Sequence, residues 1–309
     1  MNETLNNENK IKCGYVTLAG RPNVGKSTLL NHLLEQKVSI VTHKPQTTRD
    51  RILAIYNDKN TQIVFLDTPG IHKPVGALGH HMNDAAHNAI LEADLCLWII
   101  DAACKHREPD AGLTPAELAI AGRIKKTKIK TVVAINKVDL IKPKRRLLPI
   151  MQEVSELGFV ETVVPIAAIN GEATDALLNE IIQRLPENPR LFPEDMLSDK
   201  ADRFFVSELV REVILNVTHR EVPYKTAVVI DSYKQMRNQC EIFASIHVET
   251  GGQKGIIIGK GGEMLGQIRE AAKSEAEKLL GCPVTLKLHV NVSPDWSTNP
   301  AGLKKMGYE

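Results

Sequence analysis

Gly14-Tyr15-Val16-Thr17-Leu18-Ala19-Gly20-Arg21-Pro22-Asn23-Val24-Gly25-Lys26-Ser27-Thr28-Leu29-Leu30 sets an apolar run, a glycine-bounded loop and the start of a helix-compatible stretch in that order. Residues 20–27 fit the spacing GxxxxGKS, and the apolar run before and helix after are the setting that the pattern needs. Glycines let backbone N–H groups curl around phosphate oxygens, and the N-terminus of the next helix favours negative charge. Gly20, Arg21, Pro22, Asn23, Val24 and Gly25 therefore read as a phosphate cradle. Lys26 is placed to reach the β and γ phosphates, Ser27 to put its hydroxyl on Mg2+, and Thr28 to begin the helix beside them.

Such a loop serves ATPases, small-molecule kinases and GTPases alike, and two further motifs separate them. Asp67-Thr68-Pro69-Gly70 follows the apolar Ile63-Val64-Phe65-Leu66, which puts Asp67 at a strand's C-terminal end, where it can hold Mg2+ through water. Gly70 has the small bulk needed to offer its N–H to a γ-phosphate. Asn136-Lys137-Val138-Asp139 follows a second apolar run, residues 131–135. A carboxylate such as Asp139 accepts from both N1–H and N2–H2 of guanine, whereas adenine offers no such pair of donors. The nucleotide is expected to be GTP, with GDP as product.

Working outward, short apolar runs alternate with helix-length amphipathic stretches from residue 13 to 185. That is the pattern of a doubly wound α/β domain with a mostly parallel sheet buried on both faces, and residues 51–56 add an edge strand. Residues 1–12 are a polar leader without the apolar core of a signal peptide. The three prolines of residues 186–193 oppose helix and ladder pairing, so 186–202 reads as a linker. Residues 203–309 then run helix, two strands, a Gly-rich turn, a long helix and a strand, a smaller α+β domain with a partly antiparallel sheet.

Composition narrows the classes further. At 43% hydrophobic and 25% charged, the chain is neither disordered nor membrane-embedded. The longest apolar stretch, residues 95–100, stops at Asp101, far short of the ~20 residues of a spanning helix. The 39 Lys+Arg against 37 Asp+Glu leave +2, so any polyanion site is local. Five cysteines without a CxxC pair suit reduced thiols in a cytoplasm.

The three nucleotide motifs stand in the order of the translation-factor-related GTPases, and Lys44-Pro45-Gln46-Thr47-Thr48-Arg49 with Asp67-Thr68-Pro69-Gly70-Ile71-His72-Lys73-Pro74 resembles, within them, the Era-like family. The resemblance covers about residues 11–308. It implies that residues 44–49 are a switch loop in which one of Thr47 and Thr48, with Thr48 preferred, senses Mg2+ and the γ-phosphate. It implies that Ala167-Ala168 meets the guanine, with the Ala168 N–H able to reach the base carbonyl. Here Ala167 replaces the family's common Ser, so one hydroxyl contact is lost. Ile71 stands where Ras-like GTPases carry a water-orienting Gln. Slow hydrolysis through Lys26, Ser27, Thr48, Gly70 and Mg2+ follows, and Asn23 matches an Asn that holds K+ in some related GTPases.

In the second domain, Gly259-Lys260-Gly261-Gly262 after Ile256-Ile257-Ile258 resembles the GxxG loop of a type II KH domain, with the three isoleucines as its apolar floor and Ile257 and Ile258 among the RNA-binding residues. The spacing alone is weak, because it recurs at residues 76–79 and 252–255. The implied partner is the 3′ end of the small-subunit 16S rRNA during assembly of the 30S subunit, with peripheral contact with the inner membrane also within the resemblance. The alternative is a regulatory GTPase acting on a protein or membrane surface. His80, His81 and His87 read as solvent-facing, Arg123 to Lys130 as a solvated basic helix end. Trp296 is expected to pack on the second domain or to stack on RNA.

Overall fold

The structure, a computed structural model, describes residues 10–71, 74–108 and 111–308. His72 and Lys73 of the family signature lie outside the described residues. The chain divides into two units. The first runs to Ser39, resumes at Thr48 and again at Met82, and ends at Asp199; the second is built on the residues from Lys200 onward.

The first unit is the expected doubly wound layer structure. Strands β1 (Ile11–Gly20), β2 (Ile52–Asp58), β3 (Thr61–Asp67), β4 (Leu95–Asp101), β5 (Lys130–Asn136) and β6 (Val160–Pro165) lie in the order β2-β3-β1-β4-β5-β6. All neighbours are parallel except β2, the edge strand, which pairs antiparallel with β3. Alternation along each strand divides the core. Val16, Leu18, Leu97, Ile99, Val132 and Ala134 face Leu29, Leu30 and Leu33 of helix α1 (Lys26–Leu33) and Leu177 and Ile181 of α5 (Thr174–Arg184). Ala19, Cys96, Trp98, Ile100, Val133 and Ile135 face α2 (Gly76–Glu92), α3 (Pro115–Thr127) and α4 (Leu148–Glu156). Both faces are covered, which is why the strands read as continuous apolar runs.

Register then positions the chemistry. Leu18 lies opposite Asp67, Gly20 opposite Ile99 and Asp101 opposite Asn136, so the C-terminal ends of β1, β3 and β5 share one sheet edge. The order reverses at β1, between β3 and β4, and ligands bind beyond such a switch point.

The linker expectation needs correction. Glu187–Asn188 forms a seventh strand, β7, antiparallel to the start of β1. Gln62 Oε1 accepts from the N–H of Leu191 (2.7 Å) and Phe192 (3.0 Å), and Ile55 N–H donates to Leu197 O (2.9 Å). The prolines block regular pairing only where their own N–H is missing; the residues between them strap the β2–β3 edge, and the unit boundary falls after Asp199.

The second unit holds α6 (Asp202–Val217), β8 (Ala227–Gln235), β9 (Cys240–Val248), α7 (Gly251–Ile258), α8 (Glu263–Leu280), β10 (Val284–Val292) and α9 (Pro300–Lys305). Its sheet order is β10-β9-β8, with β9–β10 parallel and β8–β9 antiparallel. The glycine-rich stretch expected as a turn is helical over Gly251–Ile258, because Thr250 and Gln253 form a reciprocal capping box that offsets the glycines. Trp296 is core: it is 1% exposed, donates Nε1–H to Lys225 O (3.0 Å) and stacks on Tyr308. The unit also includes Ile40–Thr47, held on α6: Val41 N–H donates to Glu212 Oε1 (2.9 Å), Lys44 Nζ to Leu215 O and Thr218 O, and Arg211 to Thr47 O.

Candidate functional site

Helix α1 begins at Lys26 with Gly25 as its N-cap at φ 100°, a left-handed conformation closed to side-chain-bearing residues without strain. That turn aims the helix N-terminus into the loop of residues 20–25. Lys26 is 7% exposed and Nζ donates to Arg21 O (3.3 Å). Burial pushes its ammonium down to about 8, against the pull of Asp67. A buried cation under such pressure is a ready partner for phosphate oxygens.

Beside it, Asp67 is fully buried, and Oδ2 accepts from Ser27 Oγ (3.1 Å), Ser39 Oγ (2.6 Å) and Thr48 Oγ1 (3.5 Å). Ser27 Oγ and Thr48 Oγ1 are 3.3 Å apart. Desolvation raises the Asp67 pKa, partly opposed by the Ser39 hydrogen bond and then by Lys26. Its other oxygen, Oδ1, is buried without a hydrogen-bond partner. Two hydroxyls and a carboxylate with an unsatisfied oxygen suit a hard divalent cation such as Mg2+. Thr47, the other switch candidate, is turned away: its hydroxyl bonds Lys44 O (2.7 Å) and Thr42 Oγ1 (2.8 Å). Sequence reading missed Ser39, which Asn31 fixes by donating Nδ2–H to Ser39 O and accepting from the N–H of Val38 and Ser39.

Thr68 Oγ1 donates to Leu18 O (2.8 Å) and Ile71 N–H to Gly20 O (3.0 Å), which ties residues 67–71 to the end of β1. Pro69 and Gly70 lie between these ties, and a Cβ on Gly70 would stand 2.5 Å from Pro22 N. Ile71 is 8% exposed and packs in the core, so its side chain orients no water.

At the base-reading end, Asn136 has an architectural job. It is 2% exposed, donates Nδ2–H to Val24 O (2.8 Å) and accepts at Oδ1 from Ala168 N–H (2.9 Å). The Ala168 N–H, which the resemblance assigns to the guanine carbonyl, donates here to Asn136 Oδ1, and Ala167 N–H donates to Glu172 O. Lys137 Nζ donates to Asn23 O (2.8 Å) and pairs with Asp101 (2.6 Å). Arg107, in a buried ion pair with Glu117, supports Asp101 through its carbonyl (3.2 Å). Asp101 and Glu117 gave no motif signal, although a strand-end Asp aligned with Asn136 could have flagged the first. Asp139 keeps Oδ1 buried without a protein partner, the acceptor geometry that a base N–H would satisfy.

In the second unit, α7 ends at Gly259 (φ 74°), where a Cβ would stand 2.6 Å from Met264 Cβ; only glycine fits the turn into α8. Gly261 and Gly262 are also left-handed, and Lys260 is exposed at the tip. The apolar floor needs correction. Ile257 is 0% exposed and belongs to the core, Ile258 is half-buried, and Ile256 is 50% exposed. Because the segment is helical, neighbours point about 100° apart, which turns Ile257 into the core and leaves Ile256 and Ile258 accessible before the glycine turn. His80 and His87 are exposed, and no group of three His, Cys, Asp or Glu side chains that could hold a metal ion exists among the described residues.

The geometry agrees with the comparisons. A family model described as 50S ribosome-binding GTPase matches residues 15–137, and a KH domain model matches residues 221–297. GTPase Era of Syntrophus aciditrophicus is 42% identical over 299 residues, 96% of this chain and 95% of that protein. GTPase Era of Lactobacillus helveticus is 44% identical over 303 residues, 98% of each. Among solved structures, a variant of Aquifex aeolicus Era bound to GDP·AlF4− superposes with TM-score 0.91 at 41% identity, over 96% of this chain and 99% of that one. Era in complex with MgGDPNP and nucleotides 1506–1542 of 16S ribosomal RNA gives TM-score 0.91 at 42% identity, with the same coverage. Matched in both units and over nearly its full length, the chain belongs to the Era family of GTPases.

Proposed function

We infer that the protein is a GTP-hydrolysing switch whose KH unit binds the 3′ end region of 16S rRNA and assists assembly of the 30S subunit. The observation that carries this reading is the convergence of Lys26, Ser27, Thr48 and Asp67 at one sheet edge with Asn136 and Asp139, in a chain that matches, end to end, an Era structure holding MgGDPNP and 16S rRNA. Ser27, Thr48 and, through water, Asp67 would hold Mg2+, which when bound neutralises charge on the phosphates. Lys26 and the N–H groups of the loop around residues 23–25 stabilise the charge that develops on the transferring phosphoryl. With Ile71 buried, no side chain at that position orients the attacking water, and intrinsic turnover is slow. Asp139 reads guanine; Gly259, Lys260, Gly261 and Gly262 clamp an RNA backbone, with Ile256 and Ile258 beside them.

The deciding measurement is binding of a labelled oligonucleotide from the 16S rRNA 3′ end at fixed salt, with GDP and then with a nonhydrolysable GTP analogue. Binding about tenfold tighter with the analogue is expected, within the usual range of coupling between sites. Absence of binding in both states would overturn the RNA reading in favour of a protein or membrane-surface target. Lys260→Glu should weaken that RNA binding about tenfold while sparing GTP binding, as expected for a phosphate contact. Equal RNA affinity would remove the glycine turn from the interface.

No helix among the described residues is long and apolar enough to cross a membrane, and all five cysteines are free thiols. Both features accord with work in the cytoplasm.

A further inference from the structure

None of the five cysteines has a part in the nucleotide or RNA readings, yet two of them meet. Cys240 opens β9 and is fully buried; Cys282 lies in the turn between α8 and β10 and is half-buried. Their Sγ atoms are 3.4 Å apart, although 42 positions separate them in the chain. The surroundings hold them there. Cys240 N–H donates to Pro283 O (2.9 Å), β9 and β10 run in register with Cys240 opposite Val284, and Glu277 Oε1 accepts the Val284 N–H (3.0 Å). The other thiols lie apart in the first unit: Cys13 against Gln62, Cys96 inside β4 and Cys104 beside Arg21.

We propose that Cys240 and Cys282 form a redox-modification site, which a hydroperoxide converts reversibly into an intramolecular disulfide that staples the KH unit. Cys282, the accessible member, attacks first as its thiolate: the peroxide O–O bond breaks, Cys282 becomes a sulfenic acid and the distal oxygen leaves as hydroxide. Cys240 then gives up its proton, its sulfur displaces the sulfenic oxygen as water, and the S–S bond forms. In sum two thiols and one hydrogen peroxide yield one disulfide and two waters. Closing from 3.4 Å to the ~2.05 Å of a disulfide asks for about 1.4 Å of approach, within reach of side-chain rotation at the turn residue. The hydrogen bond with Cys240, and then burial, raise the Cys282 thiol above its ordinary value.

The placement decides what the staple does. The closed loop contains α7, the glycine turn and α8, and the cysteines sit at the Gly281 end of α8 whereas Gly262 caps the other. Eighteen residues of helix put the two ends roughly 27 Å apart. The crosslink should thus stabilise the unit by restricting its unfolded chain, without touching the RNA clamp.

The test treats the full-length protein with hydrogen peroxide, blocks remaining thiols with N-ethylmaleimide under denaturing conditions, and digests with trypsin. The expected product carries three blocked cysteines and a disulfide joining the peptides of residues 238–254 and 279–287, which dithiothreitol splits. Oxidation should raise the unfolding midpoint of the KH unit by roughly 10 °C and change oligonucleotide affinity less than about twofold. Cys282→Ser, at the half-exposed position, should abolish both the linked peptide and the shift, and Cys240→Ser should do the same if it folds. Five blocked thiols after peroxide, a link through another cysteine, or an undiminished shift in Cys282→Ser would overturn the proposal.

Discussion

Replacing Asp139 by Asn should cost the protein several hundredfold in GTP affinity and hand the lost preference to xanthosine triphosphate. Oδ1 of Asp139 is buried with no hydrogen bond inside the protein, so the substitution removes no internal contact and its effect falls on the ligand. A carboxylate takes two base donors, and hydrogen bonds to a charged group are each worth ~1.5–3 kcal/mol; losing one of them, weakening the other to a neutral bond and setting a donor against a donor amounts to about 3–4 kcal/mol in a half-buried setting. An amide keeps one acceptor for N1–H and turns a donor toward position 2, where xanthine carries a carbonyl and guanine an amino group. Competition of GTP and XTP against a fluorescent guanine nucleotide measures the switch, and the unfolding midpoint, expected to stay within a few degrees, checks the fold. Unchanged GTP preference would move the base contact to another residue. Asn136 offers no such clean experiment: it joins Val24 to Ala168, so altering it dismantles the loops themselves.

How much of this was readable from the sequence depends on the kind of contact. The α/β alternation and the phosphate loop are local patterns, and the runs at residues 14–19, 63–66, 95–100 and 131–135 fall inside observed strands because burial on both faces demands continuous apolar residues. The strap of residues 187–198 was not readable, since it is held by Gln62, Ile55 and Leu53, residues distant in sequence whose hydrogen-bonding partners no periodicity announces. Likewise Ser39 carries no motif, and only the fold shows that its hydroxyl completes the set on Asp67 Oδ2. Ile257 was misplaced for a simpler reason. Three consecutive isoleucines before a glycine turn look alike in sequence, and the capping box at Thr250 and Gln253, which makes the segment a helix, decides which of them faces the core.

Gly25→Ala should abolish nucleotide binding by a different route, losing at least ~100-fold for guanine and xanthine nucleotides alike. The new methyl would stand 2.2 Å from Asn136 Nδ2, at a backbone φ of 100°. The backbone strain alone costs about 1–3 kcal/mol. Relief by moving Asn136 is blocked, because that side chain already bridges Val24 O and Ala168 N–H, and both hydrogen bonds would go with it. The phosphate loop must open instead, which takes the N–H groups around residues 23–25 and the buried Lys26 off the phosphates together. Titration with a fluorescent GDP analogue reads the loss, and a parallel Gly122→Ala variant supplies the control. Gly122 lies exposed in α3 with nothing within 4 Å of its Cβ position, so there alanine should be neutral or stabilising by up to ~1 kcal/mol, with nucleotide affinity unchanged. If Gly25→Ala binds GDP as well as the parent protein does, the left-handed turn is not what builds the site, and the link between phosphate loop and base loop through Asn136 falls with it. The two substitutions thus separate what reads the base from what holds the cradle: Asp139→Asn exchanges one nucleotide for another, while Gly25→Ala rejects both.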